Sequence, residues 1–183
     1  IRSGLGIVPR RLHPVGDLWR TRLTLAQLEA RISWVHRPYH DAVARLIGQV
    51  RDRWGAAAMI DLHSMPPQSA AHGRSPPQWV IGDRYSAAAS AELVDRLIAA
   101  AEGAGLVASR NAPYAGAYGI TRHADRGSAI EAVQIEFDRS LYLGSDNAPD
   151  RNATARFARL VLTMAEIAEQ RVLSVPPFAI AAE

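Results

Sequence analysis

"AAAMIDLHSMPP", residues 56–67, decides how this chain is read. A short apolar run bounded by Gly55 and by Pro66-Pro67 fits a buried strand. It ends in Asp61, Leu62, His63 and Ser64, where a strand gives way to a loop. Alternate residues of an extended chain share a side, so Asp61 and His63 point the same way. A neutral imidazole in that place is a plausible metal ligand, and a neighbouring carboxylate can fix its tautomer. The competing reading is structural, with Asp61 and His63 only satisfying backbone groups of a turn. Ser64 is a weaker nucleophile candidate, because it lacks the glycine-flanked elbow that exposes a catalytic serine.

Upstream, Thr24 and Gln27 form a Thr-x-x-Gln capping box that opens a helix. Apolar residues follow at Leu25, Leu28, Ile32, Val35, Tyr39, Val43, Leu46, Ile47 and Val50, the spacing of an amphipathic helix facing a core. Pro38 falls inside it, which predicts a kink or two abutting helices near Arg37. Gly55 is placed to end the second segment. Residues 1–23 carry no helical period and read as extended or looping chain.

Downstream, "QWVIGD" (78–83), "LVASRN" (106–111) and "AIEAVQIEFD" (129–138) read as strands. The last alternates Ile130, Ala132 and Gln134 against Glu131, Val133 and Ile135, which leaves its facing open. Helical spacing predicts helices over 86–101 and 150–171, and the tail from Ser174 can pack anywhere. Strands alternating with helices indicate an α/β layered domain. Function in such sheets gathers where strands end, which draws attention to 61–64, 111–123 and 138–142.

The composition removes several classes. The 183 residues suit a single domain, and 48% hydrophobic with 21% charged residues is globular. No window approaches the roughly 18 uninterrupted apolar residues that span a bilayer, and no secretory leader opens the chain. There are no cysteines, so disulfides and thiol chemistry are excluded, and the cytoplasm is the default compartment. All 21 basic residues are arginine, which we read as codon bias. A net charge of +3 without a basic stripe gives nucleic-acid binding little support.

Further candidates are single residues. His36 and His40 stand four apart, but Arg37 occupies the place where a zinc-protease helix carries glutamate. Structural or substrate-contact roles therefore compete there with metal binding. Glu136 lies in the otherwise apolar "VQIEF", where a carboxylate is costly unless paired, metal-bound or raised in pKa, conditions that also make a general base. A salt bridge to an arginine is the alternative. Arg122 and His123 in "GITRHADRG" offer a guanidinium for a substrate carboxylate and an imidazole for an oxyanion, against a solvated loop. His13 and His72 read as surface residues.

Taken in order, "SGLGIVPR" (3–10), "RISWVHRPYHDAV" (31–43), "IDLHSMPP" (60–67), "VIGDR" (80–84), "NAPYAGAYGITRHADRG" (111–127) and "AVQIEFDRSLYL" (132–143) resemble the N-formylglutamate amidohydrolase family. The resemblance implies a three-layer α/β/α sandwich like that of zinc-dependent exopeptidases, formed by residues 1–183 as one domain. It implies one zinc ion and hydrolysis of the formamide bond of N-formyl-L-glutamate or a similar N-acyl amino acid. Histidine degradation in a bacterial cytoplasm is the implied setting. His63 matches the histidine of the family's "DxHS" block, a metal ligand, with Asp61 as its support. Glu136 matches a glutamate suited to act on the hydrolytic water. His123 or Asn111 would donate to the developing oxyanion, and Arg122 and His40 would hold substrate carboxylates.

Two departures accompany the match. The family's "PHSG"-like histidine segment and the acidic residue after it do not occur, so the chain is expected to lack its N-terminal part. Ala112 stands where an acid is common, and "YSAAA" stands where "GTSC" often follows the "GDR" block. These departures keep three alternatives in play: an amidase for another N-acyl amino acid or a cell-wall peptide, a catalytically impaired binding module, and a serine hydrolase through Ser64. The partner is a small molecule rather than nucleic acid or membrane, and the oligomeric state is left open.

Overall fold

A computed structural model describes residues 7–12, 15–70 and 75–176. His13 and His72 lie outside the described residues. The chain divides into two compact units, residues 1–46 and 47–183.

In the first unit, β1 (Arg11–Leu12) pairs antiparallel with β2 (Gly16–Asp17). Helix α1 (Leu25–Arg31) starts at the expected capping box: Thr24 accepts from the Gln27 N–H, and the Gln27 side chain accepts from the Thr24 N–H. A π-helical turn, Ile32–His36, then joins α1 to α2 (Arg37–Trp54). Proline has no N–H to continue the α-helical ladder, and the Arg37 N–H reaches back five residues to the Ile32 carbonyl. The discontinuity expected at Arg37 therefore takes the form of one wide turn. A wide turn holds one extra residue, which rotates later residues by about 100° relative to earlier ones. The apolar stripe read from the sequence is broken in phase, and Leu25, Val35, Tyr39 and Leu46 are exposed.

In the second unit, Gly55 ends α2 with a φ of 81°, and its N–H bonds the Arg51 carbonyl. A four-stranded sheet follows, ordered β3 (Ala57–Met65), β6 (Ile130–Asp138), β4 (Trp79–Gly82) and β5 (Ala108–Arg110). Strand β6 runs parallel to β3 and antiparallel to β4, so the sheet is mixed. Helices α3 (Ala91–Gly103) and α5 (Arg151–Ser174) cover one face. There Leu93, Leu97, Met164 and Ile167 pack on Trp79, Ile81, Val133, Ile135 and Phe137. Trp79, Phe137 and Phe157 meet edge to face at 4.9 and 4.6 Å, an arrangement favourable beyond area burial. The short α4 (Tyr118–His123) lies on the opposite face, with Ile120 against Ala132 and Ala88. The fold is α/β with a mixed sheet, in the class expected from the sequence.

Helix α3 begins later than its alanine-rich sequence suggests. Arg84, Tyr85 and Ser86 have φ of 55°, 56° and 70°, a left-handed turn, and Ser90 then caps the helix by accepting from the Leu93 N–H. No helix among the described residues is long and apolar enough to cross a membrane.

Candidate active site

The two long strands bring the sequence-predicted residues together. In the parallel register His63 lies opposite Glu136 near the carboxyl ends of β3 and β6, and Asp61 lies opposite Gln134 at mid-strand. Period-two alternation resolves the facing of β6. Ala132, Gln134 and Glu136 share the face under α4, while Val133, Ile135 and Phe137 enter the apolar core beneath α3 and α5. The same alternation sends Ser64 to the face opposite His63.

Asp61 and His63 meet on one side of the strand: Asp61 Oδ1 is 3.2 Å from His63 Nε2. Glu136 Oε1 is 3.9 Å from His63 Nδ1, too far for a hydrogen bond. The imidazole thus has Nε2 beside the Asp61 carboxylate and Nδ1 turned towards Glu136. Burial is graded across the set. The Glu136 side chain is 11% exposed, whereas the His63 side chain is 44% exposed. No arginine contacts Glu136 among the described residues. Its partner is an amide, with Gln134 Nε2 donating to Oε1 over 2.9 Å. Gln134 Oε1 accepts from the Ala117 N–H at 2.8 Å.

Gly82 makes that arrangement possible. A methyl group built on it would lie 2.6 Å from the Ala115 carbonyl carbon and closer still to the Gly116 nitrogen. Without a side chain there, the 115–117 segment lies directly on β4. Gly119 in turn sits over Asp61.

The other candidates are placed differently. Asn111 is committed to the left-handed turn: its Oδ1 accepts from the Asp83 N–H at 3.0 Å, and its Nδ2 donates to Asp83 Oδ1 at 2.6 Å. Asp83 is fully buried and also accepts from Arg110 at 2.6 Å and the Ser86 N–H at 3.0 Å. Burial pushes the Asp83 carboxyl up. Hydrogen bonds from Arg110 and Asn111, the Arg110 charge and the Ser86 N–H outweigh it and hold the group below the ordinary carboxylate value. Left-handed backbone costs a non-glycine residue about 1–2 kcal/mol, and this network is what offsets it at residues 84–86. Arg122 is exposed and His123 buried at the end of α4, which covers the site face. His40 is buried in the first unit, its ring 4.5 Å from that of His36.

An imidazole fixed at one nitrogen and flanked by carboxylates is a donor type that zinc accepts. Zinc sites use three or four protein ligands, and no cluster of three or more His, Cys, Asp or Glu disposed to hold a metal occurs among the described residues. His63 therefore fits as one member of a set. A cavity of about 750 Å³ in the first unit, lined by Arg11, Trp19, Arg20 and Arg22, offers charge but neither histidine nor glutamate. The acid–base chemistry is concentrated on β3 and β6. The residue that sequence reading passed over is Gln134, and its signal was available: two positions before Glu136, it must share that residue's face.

Residues 1–143 match the family model described as N-formylglutamate amidohydrolase. The fold is similar to that of an N-formylglutamate amidohydrolase from Ralstonia eutropha JMP134, with a TM-score of 0.82 and 27% identity. That match covers 95% of this chain and 64% of the other. It is also similar to the gene product Atu2144 from Agrobacterium tumefaciens, with a TM-score of 0.64, 26% identity, and coverage of 88% and 62%. The chain thus spans just under two thirds of the length of either protein. No curated protein gives a significant match.

Proposed function

The chain belongs to the N-formylglutamate amidohydrolase family, and we propose that it hydrolyses the formamide C–N bond of N-formyl-L-glutamate or a similar N-acyl amino acid. The observation that carries this reading is the state of Glu136. It is a nearly buried carboxylate with no cationic partner among the described residues, held through one oxygen and adjacent to His63. A carboxylate so placed is free to accept a proton.

Glu136 takes a proton from the attacking water and returns it to the departing amine, so the products are formate and glutamate. Asp61 holds the His63 ring and its tautomer. His123 donates to the developing oxyanion, while Arg122 binds a substrate carboxylate. Asn111 shapes the 83–86 turn through one amide N–H and offers its second to the same oxyanion. Zinc belongs to the proposal, with His63 as one ligand. When bound, it supplies Lewis acidity at the scissile carbonyl and a lowered pKa for water. A second reading, a binding module with the same fold, is favoured by the absence of a three-ligand cluster among the described residues.

Release of the free amine from N-formyl-L-glutamate, N-acetyl-glutamate, N-formyl-aspartate and a cell-wall peptide separates these readings. We expect the formylated glutamate to be turned over fastest. A zinc-loaded chain that binds the substrate but releases no product supports the binding module instead. Elemental analysis of His63→Ala is expected to show lost zinc. Unchanged stoichiometry removes His63 from the ligand set.

A further inference from the structure

We propose that Gln134 is the positioning residue of the site, a clamp that fixes the Glu136 carboxylate through Oε1, the oxygen that faces His63. The inference rests on the hydrolytic reading of Glu136 and adds how that group is aimed. The Ala117 backbone N–H can only donate, so the Gln134 atom 2.8 Å from it must be the carbonyl oxygen Oε1. The amide orientation is thereby settled, and Nε2 faces Glu136 Oε1 at 2.9 Å. A carboxylate there is held by a neutral donor.

The clamp has its own support. Gln134 is buried on β6, directly opposite Gly82 in the antiparallel register. The absent side chain at Gly82 admits the 115–117 backbone that supplies the Ala117 N–H. Gly82, Ala117, Gln134 and Glu136 therefore form one mechanical series, in which only the last member meets the reaction. Removing a hydrogen-bond partner that orients a reacting group commonly changes activity about 10- to 100-fold.

The test uses the full chain and four variants. Gln134→Met keeps the length and removes both hydrogen bonds, and Gly82→Ala displaces the 115–117 segment while leaving Gln134 and Glu136 chemically intact. Gln134→Asn keeps the amide but is one methylene too short to span both partners, and Glu136→Gln is the reference for lost chemistry. We expect Gln134→Met to lower kcat by about 10- to 100-fold with KM within about two-fold. We also expect its Ala117 amide to exchange with solvent about ten-fold faster or more. Gly82→Ala is expected to reproduce the kcat loss, and the double variant to be no slower than the worse single one, because the two act in series. If Gln134→Met or Gly82→Ala fails to fold, Gln134→Asn gives the same reading.

A kcat within two-fold of wild type in Gln134→Met, an Ala117 amide exchanging as in wild type, or additive losses in the double variant each overturn the clamp. Inactive Glu136→Gln beside fully active Gln134→Met removes this inference alone. A wild-type chain that hydrolyses none of the four substrates removes the hydrolytic reading and the clamp with it.

Discussion

Glu131 and Glu136 stand five residues apart on β6, face opposite sides of the same sheet, and are held in opposite ways. Glu131 Oε1 accepts from Arg171 Nε and Nη2 at 3.0 and 2.7 Å, and its Oε2 accepts from the Ser90 N–H and hydroxyl at 3.0 and 2.8 Å. Both oxygens are engaged, and the carboxylate ties α5 and the start of α3 to the sheet. Glu136 has one amide donor and a histidine at 3.9 Å. A similar degree of burial thus accompanies a structural anchor on one face and a singly held carboxylate, the proposed proton acceptor, on the other. The arginine that might have neutralised a carboxylate on β6 is present, but it serves Glu131.

The contrast breaks most sharply if the roles are exchanged. Glu136→Gln is expected to lower kcat for N-formyl-L-glutamate by about 100- to 10,000-fold, the range of general acid–base groups. Its thermal midpoint is expected to stay near wild type; retained turnover would make Glu136 a second anchor. Glu131→Gln should show the reverse: about 2–3 kcal/mol of stability lost by denaturant melt, as for a charge-assisted hydrogen bond, with unchanged turnover per folded molecule. Loss of activity without loss of stability in this variant would erase the distinction between the two faces.

Asp83 sharpens the comparison through pH. Its folded pKa is depressed, so its contribution to stability is complete above the unfolded carboxylate value of about 4 and is lost as pH falls through the lower folded value. Denaturant midpoints from pH 6 downward should therefore fall less steeply in Asp83→Asn than in wild type. Parallel curves would assign the acid sensitivity to other groups. The smallest effect is expected from Ser90→Ala, about 1 kcal/mol from loss of a helix cap. A Ser90 variant as damaged as Glu131→Gln would show that the hydroxyl, rather than Arg171, dominates that anchor.

Much of this was legible because it is local. The Thr24–Gln27 box, the break before Pro38, the stop at Gly55 and the shared side of Asp61 and His63 follow from spacing within a few residues, and each is present. The left-handed turn at 84–86 was not legible. Alanine-rich sequence there favours helix, and what prevails is a network from Arg110 and Asn111, more than twenty residues away. The antiparallel pairing of β4 with β6 likewise has no local signature. Nor did the sequence reveal which glutamate of "IEAVQIEFD" would meet an arginine, since Arg171 arrives from the last helix. Residue chemistry was readable from the chain, whereas the assignment of partners required the fold.

The pairing register of β6 also acts as a proofreading device during folding. A slip of one residue against its neighbours would turn Gln134 and Glu136 into the apolar layer beneath α3 and α5. It would also bring Val133 and Ile135 out beneath α4. Such a misaligned sheet would bury an unpaired carboxylate and amide while stripping Arg171 of its partner. The polar residues that suit one face to chemistry thus help ensure that the correct face is presented.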